Sequence, residues 1–90
     1  MKISELKFKP NPYTGGKQAR IHFENGYGAS VITGGSMAHT SERLPYEIAV
    51  LKGDDLCYDT PITSDILAYQ SARSVERVLK QISELPKEIV

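Results

Sequence analysis

A turn signal in the first third of the chain does most to constrain the fold. Asn25-Gly26 separates two apolar segments, and both residues tolerate the positive φ angles that a tight β-turn requires. Apolar and polar residues alternate over residues 19–23, which is the period of a strand with one face in water. The pattern predicts a strand over residues 19–23 that reverses at Asn25-Gly26 into a second strand over residues 28–33.

Two further apolar segments extend this hairpin into a sheet. Residues 46–51 read Tyr-Glu-Ile-Ala-Val-Leu and are apolar on both faces, which favours a central strand. Turn-forming residues at 52–55 lead to a short strand over residues 56–59, and we expect the sheet to end at Pro61. Hydroxyl and carboxyl side chains between Pro61 and Tyr69 are suited to capping, and they predict a helical turn there.

The last part of the chain has the period of a helix. Apolar residues recur at intervals of three and four, Ser71 or Ser74 is available as the N-cap, and Pro86 ends the pattern. These apolar residues are Val75, Val78, Leu79, Ile82 and Leu85. We expect this helix to cover one face of the sheet. The predicted fold class is therefore α+β, an antiparallel β-meander of four to five strands with one C-terminal helix, in a single domain over residues 1–90.

Composition and charge argue against several classes of protein. Eleven basic residues balance eleven acidic ones, so the chain lacks the net positive charge that duplex-binding domains use, and nucleic acid is not the favoured partner. No apolar run approaches the roughly 20 residues of a membrane span, and the N-terminus lacks the apolar stretch of a signal peptide. We therefore expect a cytoplasmic protein with no membrane partner.

The charges are unevenly placed along the chain. Residues 1–23 contain five basic residues and one acidic residue, a balance of +4. Residues 24–65 contain seven acidic and two basic residues, a balance of −5. Folding either keeps the two blocks apart, which would orient a charged partner, or brings them together and cancels them.

No pattern of residues indicates an enzyme, a metal site or a cofactor. His22, His39 and Cys57 are isolated from one another in the chain, and a metal needs several ligands at compatible spacing. Cys57 lies in a predicted strand, and we expect it to be a small buried apolar residue rather than a nucleophile. The aspartates between residues 54 and 65 are explained by turns and caps. We therefore expect no catalytic residues.

Tyrosines and one long polar loop are the features suited to binding a partner protein. Five of the seven aromatic residues are tyrosines, which combine a large contact area with a polar tip. Tyr46 and Tyr58 are expected in the fold, whereas Tyr13 and Tyr27 lie in turns, where each either packs at the core or its rim or reaches a partner. Residues 34–45 have no period and are expected to form a long loop. The candidate partner-binding residues are Tyr13, Arg20, Asn25, Tyr27, Met37, His39 and Arg43.

Three blocks of the chain resemble a family of small accessory proteins of bacteriophages and prophages. They read FENGYGASV at 23–31, YEIAVL at 46–51 and YDTPIT at 58–63, and the resemblance covers most of residues 19–85. The family pattern has an acidic residue and a glycine where this chain has Ser64 and Ala68. The resemblance implies a phage gene acting in the cytoplasm of a host cell, and it implies no catalytic residue.

These observations support three hypotheses of function. The first is a non-enzymatic phage-encoded protein that binds and inhibits a host protein, such as a component of a CRISPR defence system. The alternative is a protein that binds or sequesters a small ligand such as a nucleotide, with Gly34, Gly35, Lys17 and Arg20 supplying amides and positive charge. A small enzyme is the third hypothesis. Self-association into a homo-oligomer is compatible with the first two.

Overall fold

The computed structural model describes residues 1–35, 38–63 and 65–87. Within these residues the chain forms one short helical turn, six strands and one α-helix. The elements are a 3₁₀ turn at Ile3–Glu5, strands β1 (Lys9–Pro10), β2 (Lys17–His22), β3 (Tyr27–Thr33), β4 (Tyr46–Lys52), β5 (Asp55–Leu56) and β6 (Leu67–Gln70), and helix α1 (Ala72–Ser83).

The six strands form one antiparallel sheet. The strand order is β1-β2-β3-β4-β5, and β6 also pairs with β4. Since β3 pairs with β4 along its whole length, β5 and β6 both lie on the other edge of β4, with β6 near its start and β5 near its end. The predicted antiparallel meander with a C-terminal helix is confirmed.

The turn between β2 and β3 forms where the sequence predicts it. Gly26 has a φ of 89°, and the backbone N–H of Phe23 donates to the Tyr27 carbonyl at 2.7 Å. A left-handed residue in the turn matches the right-handed twist of the two strands, which is why the Asn-Gly pair is favoured there. From this turn the ladder runs from the His22–Gly28 pair to the Lys17–Thr33 pair without a register shift.

The segment before α1 differs from the prediction. The expected helical turn between Pro61 and Tyr69 is wrong, because residues 61–63, 65 and 66 are not helical and Leu67–Gln70 is strand β6. Leu67 pairs with Ile48 and packs against the core, so tertiary burial outweighs the capping residues before it. Thr63 closes a local turn instead, since its Oγ1 accepts from the Asp65 N–H at 3.1 Å. The sheet therefore continues past Pro61, whereas β5 is shorter than the predicted strand.

The core lies between one face of the sheet and α1. Alternation along β2, β3 and β4 places apolar residues opposite one another on this face, as in the Val31–Ile48 and Ala29–Val50 pairs. Helix α1 buries the residues that its period predicts, which are Val75, Val78, Leu79 and Ile82. Cys57 is a free thiol buried in the same cluster, as expected from the sequence.

Candidate interaction surface

The antiparallel connections place the candidate residues at two ends of the sheet. Loop 11–16 between β1 and β2 lies at the same end as segment 34–45 between β3 and β4. The β2–β3 turn lies at the other end beside the β4–β5 turn, where the Gly53 N–H donates to the Gly26 carbonyl at 3.0 Å. Tyr13, His39 and Arg43 thus belong to one end, and Asn25 and Tyr27 to the other. Met37 lies outside the described residues.

Asn25 is used inside the fold. Its side chain is buried, and Nδ2 donates to the carbonyls of Ile82 at 2.8 Å and Leu85 at 3.0 Å. Its Oδ1 accepts from the Tyr27 N–H at 3.0 Å. Tyr27 itself is half-buried and packs against the core. Asn25 therefore attaches the hairpin to the end of α1, and Tyr27 contributes to the core.

Tyr13 is exposed, with 88% of its surface accessible. The loop that carries it is held by the buried residue Asn11, whose backbone N–H donates to the Gly16 carbonyl at 2.8 Å and whose carbonyl accepts from the Gly15 N–H at 2.9 Å. The Asn11 side chain accepts from the Tyr13 N–H at 2.9 Å and donates to Gln18 Oε1 at 3.1 Å. Tyr13 is thus presented on a loop that Asn11 holds in place, and this role of Asn11 was not predicted from the sequence. An Asn two residues before an exposed Tyr in a Pro/Gly-rich turn is the available signal.

Two glycines, Gly16 and Gly35, bring loop 11–16 against the end of β3 and the residues that follow it. A Cβ on Gly16 would overlap the Thr33 carbonyl oxygen, and a Cβ on Gly35 would overlap that of Thr14. Gly35 also has a φ of 82°, which L side chains rarely adopt. Close backbone packing therefore explains why these two positions are glycine. The Gly15 and Gly16 amides donate to Asn11 and Thr14, so they are not free for a ligand.

The residues of the ligand hypothesis fall on two faces. Lys17, Gly34 and Gly35 line one cavity beside Gly15 and Gly16. Arg20 lines a different cavity, because three residues along β2 reverse the direction of the side chain. The structure therefore brings together three of the four residues that the sequence suggested for an anion.

His39 and Arg43 are exposed, and His39 is connected to the strands beside it. Its backbone N–H donates to Glu47 Oε2 at 2.7 Å, and its carbonyl accepts from the Tyr69 N–H at 3.0 Å. The His39 and Tyr69 rings lie with centroids 6.5 Å apart. The backbone of the segment near His39 is thus anchored to β4 and β6.

Folding places the basic block and part of the acidic block at opposite edges of the sheet. The basic block forms one edge of the sheet through β1 and β2, whereas Asp55 belongs to β5 on the opposite edge. Among the described residues, an ion pair between His22 Nε2 and Asp54 Oδ1 at 3.3 Å joins the two blocks, with the His22 side chain about half exposed and that of Asp54 largely in solvent. Lys7, Lys9 and Arg20 have no carboxylate partner within the described part of the chain.

The described ranges lack two features that bear on function, a cluster of metal ligands and a membrane-spanning helix. Among these residues, no group of three or more His, Cys, Asp or Glu side chains is arranged to hold a metal ion. None of the helices seen in those ranges has the length and apolar character needed to cross a membrane.

Comparison with family models, with curated proteins and with solved structures finds no match to this chain.

Proposed function

We propose that this protein is a non-enzymatic phage-encoded accessory protein that binds and inhibits a host protein, for example a component of a CRISPR defence system. The observation that carries the proposal is the presentation of Tyr13, a large amphipathic side chain exposed at the tip of a loop that Asn11 holds in place. Ordering of that loop before binding lowers the entropy lost on association. Tyrosine is also enriched among the residues that dominate binding energy at protein interfaces.

Placement of the other candidates supports the same end of the sheet. Arg43 and His39 lie in the segment that packs against the Tyr13 loop through Gly16 and Gly35, and both are exposed. An exposed aromatic residue with polar and charged residues around it is the usual composition of a protein-binding patch. The resemblance to phage accessory proteins supplies the host-cell setting.

The test is a phage infection assay in bacteria with an active CRISPR system. Expression of the wild-type protein is expected to restore plating of a targeted phage and to leave an untargeted phage unchanged. Tyr13→Ala is expected to reduce this effect, because loss of a central aromatic anchor costs about 2 kcal/mol or more, roughly thirtyfold in affinity. Tyr58→Ala is the matched control, since Tyr58 is also exposed but lies beyond β5.

Two results would contradict the proposal. One is a wild-type protein that protects no phage from any defence system tested and retains no host protein at micromolar concentration. The other is equal activity of wild type and Tyr13→Ala, which would remove Tyr13 from the interface.

A second candidate function is binding of a small anionic ligand such as a nucleotide. The observation in its favour is that Lys17, Gly34 and Gly35 line one cavity. Thermal unfolding measured with nucleotides separates the two functions. A ligand at a hundredfold excess over its Kd stabilises the folded state by about 2.7 kcal/mol, whereas a protein-binding function predicts no shift with nucleotides.

A further inference from the structure

Three cations lie together on the face of the sheet that is turned away from α1. Ala19 faces the core, so its neighbours Gln18 and Arg20 face the other way. Lys9 pairs with Gln18 across the β1–β2 ladder and shares its face. Lys7, Lys9, Pro10, Gln18 and Arg20 line one cavity there. We call Lys7, Lys9 and Arg20 the cationic face.

The cationic face carries unbalanced charge. None of its three side chains has an acidic partner within residues 1–35, 38–63 and 65–87. Lysines on edge strands also discourage pairing with other sheets, and this accounts for one or two of them. It does not account for the grouping of Lys7, Lys9 and Arg20 around one cavity on the face of the sheet.

The floor beneath these cations is fixed by hydrogen bonds. Gln18 Oε1 accepts from Asn11 Nδ2 at 3.1 Å, and Gln18 Nε2 donates to Ser30 Oγ at 2.6 Å. Asn11 and Ser30 are both buried, so the amide of Gln18 is held at both ends. A partner that approaches the cations meets a surface that needs little rearrangement.

We infer that the cationic face is a docking surface for a carboxylate-rich patch on the partner protein. This inference rests on the proposed function, and it specifies the chemistry of the partner. The surface lies on the same hairpin as Tyr13, so one partner can contact an aromatic anchor and the adjacent cations together. Cations beside an anchor speed association and select against basic surfaces.

Spacing favours several carboxylates over one phosphate. Residues two apart along a strand lie about 7 Å apart, and neighbouring strands lie about 5 Å apart. Lys7, Lys9 and Arg20 are therefore distributed over an area that matches separate acidic side chains. The planar guanidinium group of Arg20 can pair with a carboxylate through two parallel hydrogen bonds. A nucleic acid is disfavoured because the exposed aspartates of the opposite edge cancel the long-range attraction that phosphate backbones require.

The test uses polyglutamate as the probe and the full chain as the receptor. Amide signals of the ¹⁵N-labelled protein are followed during titration at low salt. Polyglutamate is expected to shift signals of β1 and β2 before those of α1. The double variant Lys9→Glu/Arg20→Glu is expected to bind polyglutamate at least tenfold more weakly. The control Arg73→Glu/Lys80→Glu changes the net charge equally on exposed positions of α1, and it is expected to bind within about twofold of wild type.

Other outcomes would overturn the inference. Equal weakening in both double variants would show that net charge alone is responsible. Tighter binding of pyrophosphate or of an oligothymidylate through the same signals would make this a phosphate site. Self-association of the wild-type chain through β1 and β2 would make a second copy the occupant.

The inference and the proposed function can fail separately. A host partner that still binds Lys9→Glu/Arg20→Glu with wild-type affinity removes the cationic face and leaves the proposed function intact. Selective polyglutamate binding by a protein that inhibits no host defence would remove the proposed function and leave the cationic face intact.

Discussion

Asn25 Nδ2 and the carbonyl oxygen of Ile82 lie 2.8 Å apart, which ties the first hairpin to the C-terminal end of α1. The same amide also reaches the Leu85 carbonyl at 3.0 Å. The last carbonyls of a helix have no partner within the helix itself. A turn residue 57 positions earlier in the chain thus donates to one of the last carbonyls of α1, and it also donates to the Leu85 carbonyl just beyond the end of the helix.

Asn25→Asp is expected to destabilise the protein by about 1–3 kcal/mol. Aspartate keeps the shape and turn preference of asparagine but loses both N–H donors, and it places an acceptor against buried carbonyls. Its charge also opposes the negative end of the helix dipole. Urea unfolding measures the change. Glu24→Ala is the control, because Glu24 is the exposed neighbour, and equal stability of the two variants would contradict the role given to Asn25.

The N-cap of α1 can be tested with two serines that lie three residues apart. Ser71 Oγ accepts from the Ser74 N–H at 3.1 Å, whereas the Ser74 side chain accepts from Arg77 at the surface. Ser71→Ala is expected to cost about 1 kcal/mol, and Ser74→Ala less than half of that. Chemical denaturation of the two variants would reveal the opposite order if Ser74 were the cap.

Ile48→Ala is expected to cost about 2–5 kcal/mol, because Ile48 is 1% exposed between Val31 and Leu67 at the centre of the core. Leu56→Ala is the matched control. Leu56 is 52% exposed in β5, so its truncation is expected to stay within about 0.5 kcal/mol. A urea midpoint that does not move for Ile48→Ala would contradict the packing of α1 on this face.

Gly35→Ala and Gly53→Ala separate the effect of φ from the effect of contact. Both glycines have positive φ, but only at Gly35 would a Cβ overlap backbone, whereas nothing lies within 4 Å of one at Gly53. Gly53→Ala is expected to cost about 1–2 kcal/mol for the left-handed conformation alone. Gly35→Ala is expected to cost about 1–3 kcal/mol more, because the Thr14 loop must move. Equal costs in thermal or urea unfolding would mean that the two loops are not in contact.

Local patterns were sufficient for the elements whose residues interact mainly with near neighbours. The Asn25-Gly26 turn and the apolar stripe of α1 are such cases, and both form as predicted. Strand β6 was missed because its partner, Ile48, lies 19 residues earlier than Leu67, and residues 61–65 carry capping side chains that favour a turn. Pairing with β4 decides its conformation, and no local signal reports that pairing.

The sequence predicted only part of the candidate surface, because some of its contacts join residues that are distant in the chain. The exposure of Tyr13 followed from its place in a turn. The burial of Asn25 did not, because its partners at residues 82 and 85 are distant in the chain. Tyr58 was expected inside the fold and is 44% exposed, since β5 ends two residues before it. The grouping of Lys7, Lys9 and Arg20 required the β1–β2 register, which sequence spacing alone does not give.

One residue, Ser71, separates the end of β6 from the start of α1. A connection of one residue cannot absorb an extra amino acid. An insertion that extends the helix there would rotate the rest of it by about 100° and turn its apolar stripe away from the sheet. Natural variation in length should therefore be excluded from this junction and accumulate in segment 34–45, where the ends of β3 and β4 are already paired by the Thr33–Tyr46 match. Related chains should show their gaps and insertions distributed in that way.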